Sequence, residues 1–498
     1  MASRLFAAFA AAIFALGACA ARADVHIAQG DLPGVTAGGV ESFKGIPFAA
    51  PPVGDLRWRP PGPGPSWTGV KTADAFGPIC MQGRRGFFAQ SPMSEDCLTL
   101  NVWRPAGAKP GARLPVMVWI YGGAFVQGSS ATPFYDGAHF AEKGVVLVSF
   151  NYRLGVFGFF AHPELTAESA HHSSGNYGFL DQIAALQWVQ RNIAQFGGDP
   201  NRVTIFGESA GSWSVNLLVA SPLAKGLFQA AIGESGANFS PMAKLADIEK
   251  AGAGVTRSLG VDSLAALRTK TAEEMLRANG ESAANVDGWV LPAEVRAIFA
   301  AGKQNDVPVL IGSNADEGTA FTSRTLTMAA LHNSARRYGD GADAFLKLYP
   351  ADSDAQAQAA QAAAIGDQFF GWEMRTWARL QAKTGKSKTY LYYFSRVPPG
   401  RNSELLGAYH SAEIAYAFHN LGITNRPWEE ADRKLADVMS SYWVNFATTG
   451  DPNGKGLPAW PVYDGRSERA MGLGNRIEPM DIPHKAALDF FDGWFAQR

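Results

Sequence analysis

Arg202-Val203-Thr204-Ile205-Phe206-Gly207-Glu208-Ser209-Ala210-Gly211-Ser212 compresses a strand, a turn and a helix start into one short segment. Val203 to Phe206 is rich in β-branched and aromatic side chains and predicts a short buried strand. Trp213 to Ala220 is mostly apolar and predicts a helix. Between them, Gly207 and Gly211 flank a serine. A strand-to-helix turn this tight leaves no room for a side chain at either glycine. It would hold Ser209 in a strained conformation, its hydroxyl at the helix N-terminus, where the dipole favours developing negative charge. With 54 glycines in 498 residues, Gly-x-Ser-x-Gly also arises by chance. The flanking strand and helix carry the reading, and the rest of the chain decides it.

Upstream, Gly178 to Phe196 sets Leu180, Ile183, Leu186, Val189 and Ile193 at helical spacing, and Gly197-Gly198-Asp199-Pro200 ends that helix. Leu98 to Val102 reads as a strand, and Val116 to Tyr121 and Val145 to Asn151 are apolar runs, which suit strands covered on both faces. Ala230 to Gly233, Val307 to Ile311 and Thr389 to Phe394 read as further strands. Strand, helix, strand, helix is the order of a doubly wound α/β fold, with a mostly parallel central sheet and helices on both faces. Residues 243–280 and 324–384 predict large helical insertions, and Ala431 to Thr448 an amphipathic helix. Val25 to Phe43 predicts a small antiparallel region. Residues 45–66 are crowded with Pro and Gly, yet Ile46, Phe48 and Trp58 need burial, so ordered wrapping is expected. Neither repeat nor linker interrupts the chain, and residues 24–498 read as a single catalytic domain.

Residues 1–23 are of another kind. Arg4, the apolar run Leu5 to Ala18 and the small-x-small site Ala21-Arg22-Ala23 predict a signal peptide. The run is too short to span a membrane. Leu16-Gly17-Ala18-Cys19 also resembles a bacterial lipoprotein box, which would put a lipid anchor on Cys19. Both readings export the chain, periplasmic or secreted in one and tethered to the membrane in the other. Cleavage after Ala23 leaves Cys80 and Cys97, which in an exported chain read as a disulfide rather than a metal pair. The loop they close carries Arg84, Arg85, Phe87 and Phe88. It is either a stapled surface loop or a rim of the substrate entrance, and its arginines are either solvated charge or a lure for anionic esters. The formal charge of −1 provides no field for nucleic acid.

A serine hydroxyl needs a base, and a histidine base needs an orienting carboxylate. After a strand-turn-helix nucleophile the acid and then the histidine follow in the chain, which leaves His332, His410, His419 and His484. Open α/β sheets build sites beyond the C-terminal ends of their strands. Val307 to Ile311 leads there into Gly312-Ser313-Asn314-Ala315-Asp316-Glu317-Gly318, offering Asp316 and Glu317. Thr389 to Phe394 leads into the segment holding His410. Tyr121-Gly122-Gly123-Ala124-Phe125 follows another strand, and its small residues let backbone N–H groups approach an oxyanion. The N–H of Ala210 is the third donor. A plain glycine turn is the alternative.

Taken together, these segments resemble the type-B carboxylesterase/cholinesterase family of α/β-hydrolases, from Phe43-Lys44-Gly45-Ile46-Pro47 to about Asp464. Ser94-Glu95-Asp96-Cys97-Leu98-Thr99-Leu100-Asn101-Val102, Asn151-Tyr152-Arg153-Leu154-Gly155 and Tyr409-His410-Ser411-Ala412-Glu413-Ile414 carry the likeness alongside the elbow and the Gly122-Gly123 loop. The resemblance implies Ser209 as nucleophile, His410 as general acid/base, Glu317 as orienting carboxylate, the N–H groups of Gly123, Ala124 and Ala210 as the oxyanion donors, and Glu208 and Ser235 close to the three catalytic side chains. It implies a Cys80–Cys97 bridge, structural pairs Arg57–Glu95 and Arg153–Asp181, and Trp289 as a wall of the substrate pocket, with core packing as the alternative. Glu208, Phe87 and Phe88 are further pocket candidates. Alanine stands at position 124, where the family often has glycine. The tryptophan that binds quaternary ammonium in cholinesterases is missing from the Cys80–Cys97 loop, so a choline site is not implied. The expected protein is a serine hydrolase acting on small-molecule carboxylic esters through an acyl-enzyme, with no metal or organic cofactor. An amidase or lactonase would use the same three side chains, and a non-catalytic adhesion protein would share the fold. The oligomeric state is not legible.

Overall fold

Unbroken runs of Val, Leu, Ile and Trp form the middle of an eleven-stranded sheet. The computed structural model describes residues 24–83, 92–278 and 283–498. In chain order the sheet strands are β1 (Val35–Ala37), β2 (Val40–Pro47), β3 (Thr99–Pro105), β4 (Leu114–Ile120), β5 (Val146–Phe150) and β6 (Gly198–Glu208). They continue as β7 (Ala230–Glu234), β8 (Val309–Asn314), β9 (Thr389–Phe394), β10 (Arg469–Leu473) and β11 (Ile477–Asp481). Across the sheet they lie β11-β10-β9-β8-β7-β6-β4-β5-β3-β2-β1. From β10 to β5 all neighbours are parallel, and antiparallel strands finish both edges. Every residue of β5, β7 and β8 is buried, as strands with helices on both faces require.

The strand expected at Leu98 to Val102 becomes β3, which is antiparallel to both neighbours. The C-terminal hairpin of β10 and β11 and the helix Lys485–Ala496 continue the fold past Asp464, where the likeness read from sequence ends. The edge strand β11 is largely exposed, so no apolar pattern announces it.

The chain runs from β4 to β5 on one side, then crosses to β6 on the other. Strand order therefore reverses at β4, and the loops leaving β4 and β6 open beside each other. The helix Tyr177–Asn192 provides the crossover and tightens into a 3-10 turn at Ile193–Phe196 before Gly197 (φ 85°) ends it. The Arg153 guanidinium donates to Asp181 Oδ2 and Oδ1 at 2.8 and 2.6 Å, tying the loop after β5 to this helix.

The insertions are helical, at Leu245–Ser258, Leu264–Arg268 and Ala272–Arg277, and again from Met328 to Thr384. A π-turn at Asp367–Gly371 breaks the second group. Cys80 and Cys97 form a disulfide. Beside it, Arg57 grips Glu95 through both guanidinium edges at 2.7 and 2.5 Å and donates to the Lys270 carbonyl at 2.7 Å. No helix among the described residues is long and apolar enough to cross a membrane. The signal segment, Cys19, Arg84, Arg85, Phe87 and Phe88 lie outside the described residues.

Candidate active site

Ser209 sits between the end of β6 and the helix Ala210–Ala220 with φ 57° and ψ −123°. L-residues avoid this region, at a cost of about 1–3 kcal/mol. The surroundings enforce it. The Ser209 N–H donates to the Glu234 carbonyl at 2.8 Å. A Cβ on Gly207 would lie 2.5 Å from the Ile120 carbonyl oxygen, and one on Gly211 would lie closer still. Both glycines are sterically required where β4 ends against the turn.

The loop after β4 packs on the same turn. A Cβ on Gly122 would meet the Glu208 carbonyl oxygen at 2.6 Å, and Gly123 has φ 113°. The N–H groups of Gly123 and Ala124 have no acceptor among the described residues, and that of Ala210 is at the free first turn of its helix. Gln82 braces this loop, a residue that carried no sequence signal. Its side chain donates to the Gly128 carbonyl at 2.9 Å and accepts from the Gly128 N–H at 3.0 Å. Tyr121 and Tyr152 stack with ring centroids 4.6 Å apart, and the Tyr152 hydroxyl donates to the Tyr121 carbonyl at 2.8 Å.

Glu317, buried just past β8, lies with Oε2 2.6 Å from His410 Nδ1. Its Oε1 accepts from the Ser235 hydroxyl at 2.5 Å and the Asn314 N–H at 2.7 Å. Asp316, the other acid in that loop, is spoken for. Its Oδ2 accepts from the Ala408 N–H at 2.7 Å, pinning the segment that bears His410. The remaining histidines stand elsewhere: His484 pairs with Asp367, His419 faces His139, and His332 is exposed. His410 Nε2 is 3.1 Å from Glu208 Oε1, and the same oxygen accepts from the Ser411 hydroxyl at 2.5 Å. Ser209 Oγ has no hydrogen-bond partner among the described residues. Burial by itself would lower the basicity of His410, but the carboxylates of Glu208 and Glu317 outweigh it and lift the ring's pKa to about 9.

Ser209, His410, Glu208, Gly123 and Ala124 line one cavity of about 610 Å³. Phe321, Tyr409, Arg426 and Trp428 contribute to its other walls. No local sequence pattern marks Phe321, Arg426 or Trp428, and Tyr409 enters the sequence reading only as part of the motif around His410. Trp289 is a correction. It lines a separate cavity of about 250 Å³, stacked on His171 at 3.8 Å between ring centroids. Asp287 accepts from the N–H groups of both Trp289 and Leu291 and so fixes a local turn there, and Trp289 is not among the residues lining the Ser209 cavity. No group of three or more potential metal ligands is gathered among the described residues.

Sheet, elbow and loops define an α/β-hydrolase. A family model described as "Carboxylesterase family" matches residues 21–491. Fumonisin B1 esterase of Sphingopyxis macrogoltabida is 43% identical over 484 residues, covering 91% of this chain and 86% of that protein. Human cocaine esterase is 37% identical over 469 residues, covering 86% and 82%. A solved PNB esterase superposes with a TM-score of 0.83 at 33% identity, covering 94% and 99%. The chain belongs to the carboxylesterase family and is a carboxylic ester hydrolase.

Replacing Gln82 with Ala strips the buried Gly128 N–H and C=O of their partners at once. A stability loss of about 2–4 kcal/mol is expected, read by urea unfolding. A loss under about 0.5 kcal/mol would mean that Gln82 does not brace the loop.

Proposed function

We propose that Ser209 is the nucleophile of this esterase, His410 its general acid and base, and Glu317 the carboxylate that orients the imidazole. The observation that carries the assignment is the His410–Glu317 contact of 2.6 Å in a cavity shared with a strained, unpartnered serine. Glu317 takes Nδ1–H, leaving Nε2 as the proton acceptor. In the free enzyme Nε2 carries a proton and lies against Glu208, so it must first lose that proton and then turns to Ser209 Oγ when an ester enters. Ser209 Oγ then bonds to the carbonyl carbon while its proton passes to Nε2. The developing oxyanion accepts from the N–H groups of Gly123, Ala124 and Ala210. Collapse breaks the bond to the alkoxy oxygen, which leaves with the proton from His410. Water repeats the steps against the acyl-enzyme, releasing the acid and restoring Ser209.

The disulfide and the leader-like residues 1–23 support export by a cleaved signal peptide. Intact mass of the purified mature protein is expected to begin at Asp24. A lipid-modified Cys19 start would replace this reading with a membrane tether, and a Met1 start would end both.

Ser209→Ala is expected to abolish hydrolysis of a short-chain nitrophenyl ester and labelling by a fluorophosphonate. Retention of either removes Ser209 from the nucleophile role. The pH profile tests the base. Only neutral His410 accepts the serine proton, so kcat/KM should rise with pH through a midpoint well above the 6.5 of a free imidazole. Glu208→Gln removes one of the two carboxylates that hold the proton on the ring, so the midpoint should move to lower pH. An unmoved or higher midpoint overturns the charge coupling.

A further inference from the structure

Buried arginines in this protein meet carboxylates: Arg57 with Glu95, Arg104 with Glu41, Arg153 with Asp181, Arg375 with Glu468 and Arg396 with Asp432. Arg426 breaks the pattern. It is half-buried and, among the described residues, is the only Lys or Arg lining the Ser209 cavity, and none of their carboxylates lies within ion-pair distance of it. Its guanidinium is nonetheless held in place. Nη1 donates to the Pro399 carbonyl at 3.2 Å and Nη2 to the Tyr409 hydroxyl at 3.0 Å. The faces of Tyr409 and Trp428 stand 5.8 and 6.0 Å from its central carbon. A cation fixed this way, in a largely apolar cavity and with unused N–H donors, presents a planar fork suited to a carboxylate. Tyr409 adds a second donor, since its oxygen accepts from Arg426 and its own hydrogen has no acceptor among the described residues. Tyr409 and Arg426 line the same cavity as Ser209 and His410, so this donor pair faces the space the ester must enter.

We propose that Arg426 and Tyr409 form an anion subsite and that the substrates of this esterase are esters bearing a second, ionised carboxylate. This deepens the esterase reading above and rests on it. The subsite also orients the molecule. Glu208, next to Ser209, repels a carboxylate, whereas Arg426 attracts one, so the charged arm lies toward Arg426 and the ester carbonyl toward Ser209.

The test compares monoethyl with diethyl esters of succinate, glutarate and adipate, with the purified mature enzyme and its acid release titrated at constant pH. The ratio of kcat/KM, half-ester over diester, is expected to fall about tenfold or more in Arg426→Gln, chiefly through KM, with partial recovery in Arg426→Lys. A ratio unchanged within about twofold overturns the subsite. A second readout needs no variant. In the unmodified enzyme, KM for the half-ester should rise between about 0.02 and 0.5 M salt while that for the diester stays level. Equal responses, or no hydrolysis of any half-ester, overturn the proposal. The underlying reading fails separately: diester hydrolysis that survives Ser209→Ala removes the nucleophile assignment, whatever the Arg426 ratio shows.

Discussion

The carbonyl of Ile120, at the end of β4, occupies the space that side chains at positions 207 and 211 would need. That backbone contact is the constraint on which the site depends. It draws the turn after β6 against β4, which forces Ser209 to φ 57° and ψ −123°. The same approach packs Gly122 on the Glu208 carbonyl and so lays the N–H groups of the next two residues beside the serine. The strain of about 1–3 kcal/mol at one residue is small against the buried strands that impose it. Nucleophile and donor loop are thus aligned by main-chain packing, which no rotamer change can undo.

Charge is arranged around this frame with equal economy. Burial raises the pKa of Glu208 and Glu234, the latter to about 8, and pushes Glu413 well above the usual carboxyl range. Glu234 is therefore mostly protonated at neutral pH and adds little field. Glu234 accepts from the Trp443 indole at 2.8 Å, and Glu413 accepts from the Asn314 side chain. Asn314 also donates its N–H to Glu317 and its side chain to the Tyr409 carbonyl at 2.9 Å. One asparagine at the end of β8 consequently joins the acid to the loop that bears the histidine.

What was legible in the sequence follows from this division. Gly207, Gly211 and Gly122 could be read because backbone crowding is a local demand with few residue solutions. Glu317 and His410 were legible through chain order and strand ends, and the resemblance separated Glu317 from Asp316. Trp289 misled because the resemblance matched a segment of chain, whereas the cavity its ring enters is decided by contacts with distant residues such as His171. Gln82 and Arg426 left no trace, since each acts on residues far along the chain or in another loop. The antiparallel sense of β3 was equally silent, because both faces of the strand are covered whichever way it runs.

The same division separates chemistry from selectivity. Ser209, the Gly123–Ala124 loop and Glu317 leave the C-terminal ends of β6, β4 and β8, and His410 follows β9 at a distance but is pinned back through Asp316. The walls have another origin. Phe370 belongs to the π-turn of an insertion, Phe321 follows the acid loop, and Arg426 and Trp428 lie in the approach to the helix Glu430–Thr449. Phe321 and Phe370 stand 5.0 and 4.8 Å from the His410 ring centroid and stack on each other at 5.7 Å. They deny water to one side of the imidazole, and this desolvation works against the carboxylates that hold its proton. Changes at Phe321, Phe370, Arg426 and Trp428 can thus retune both the base and the cavity while the sheet keeps serine, donors and acid in register.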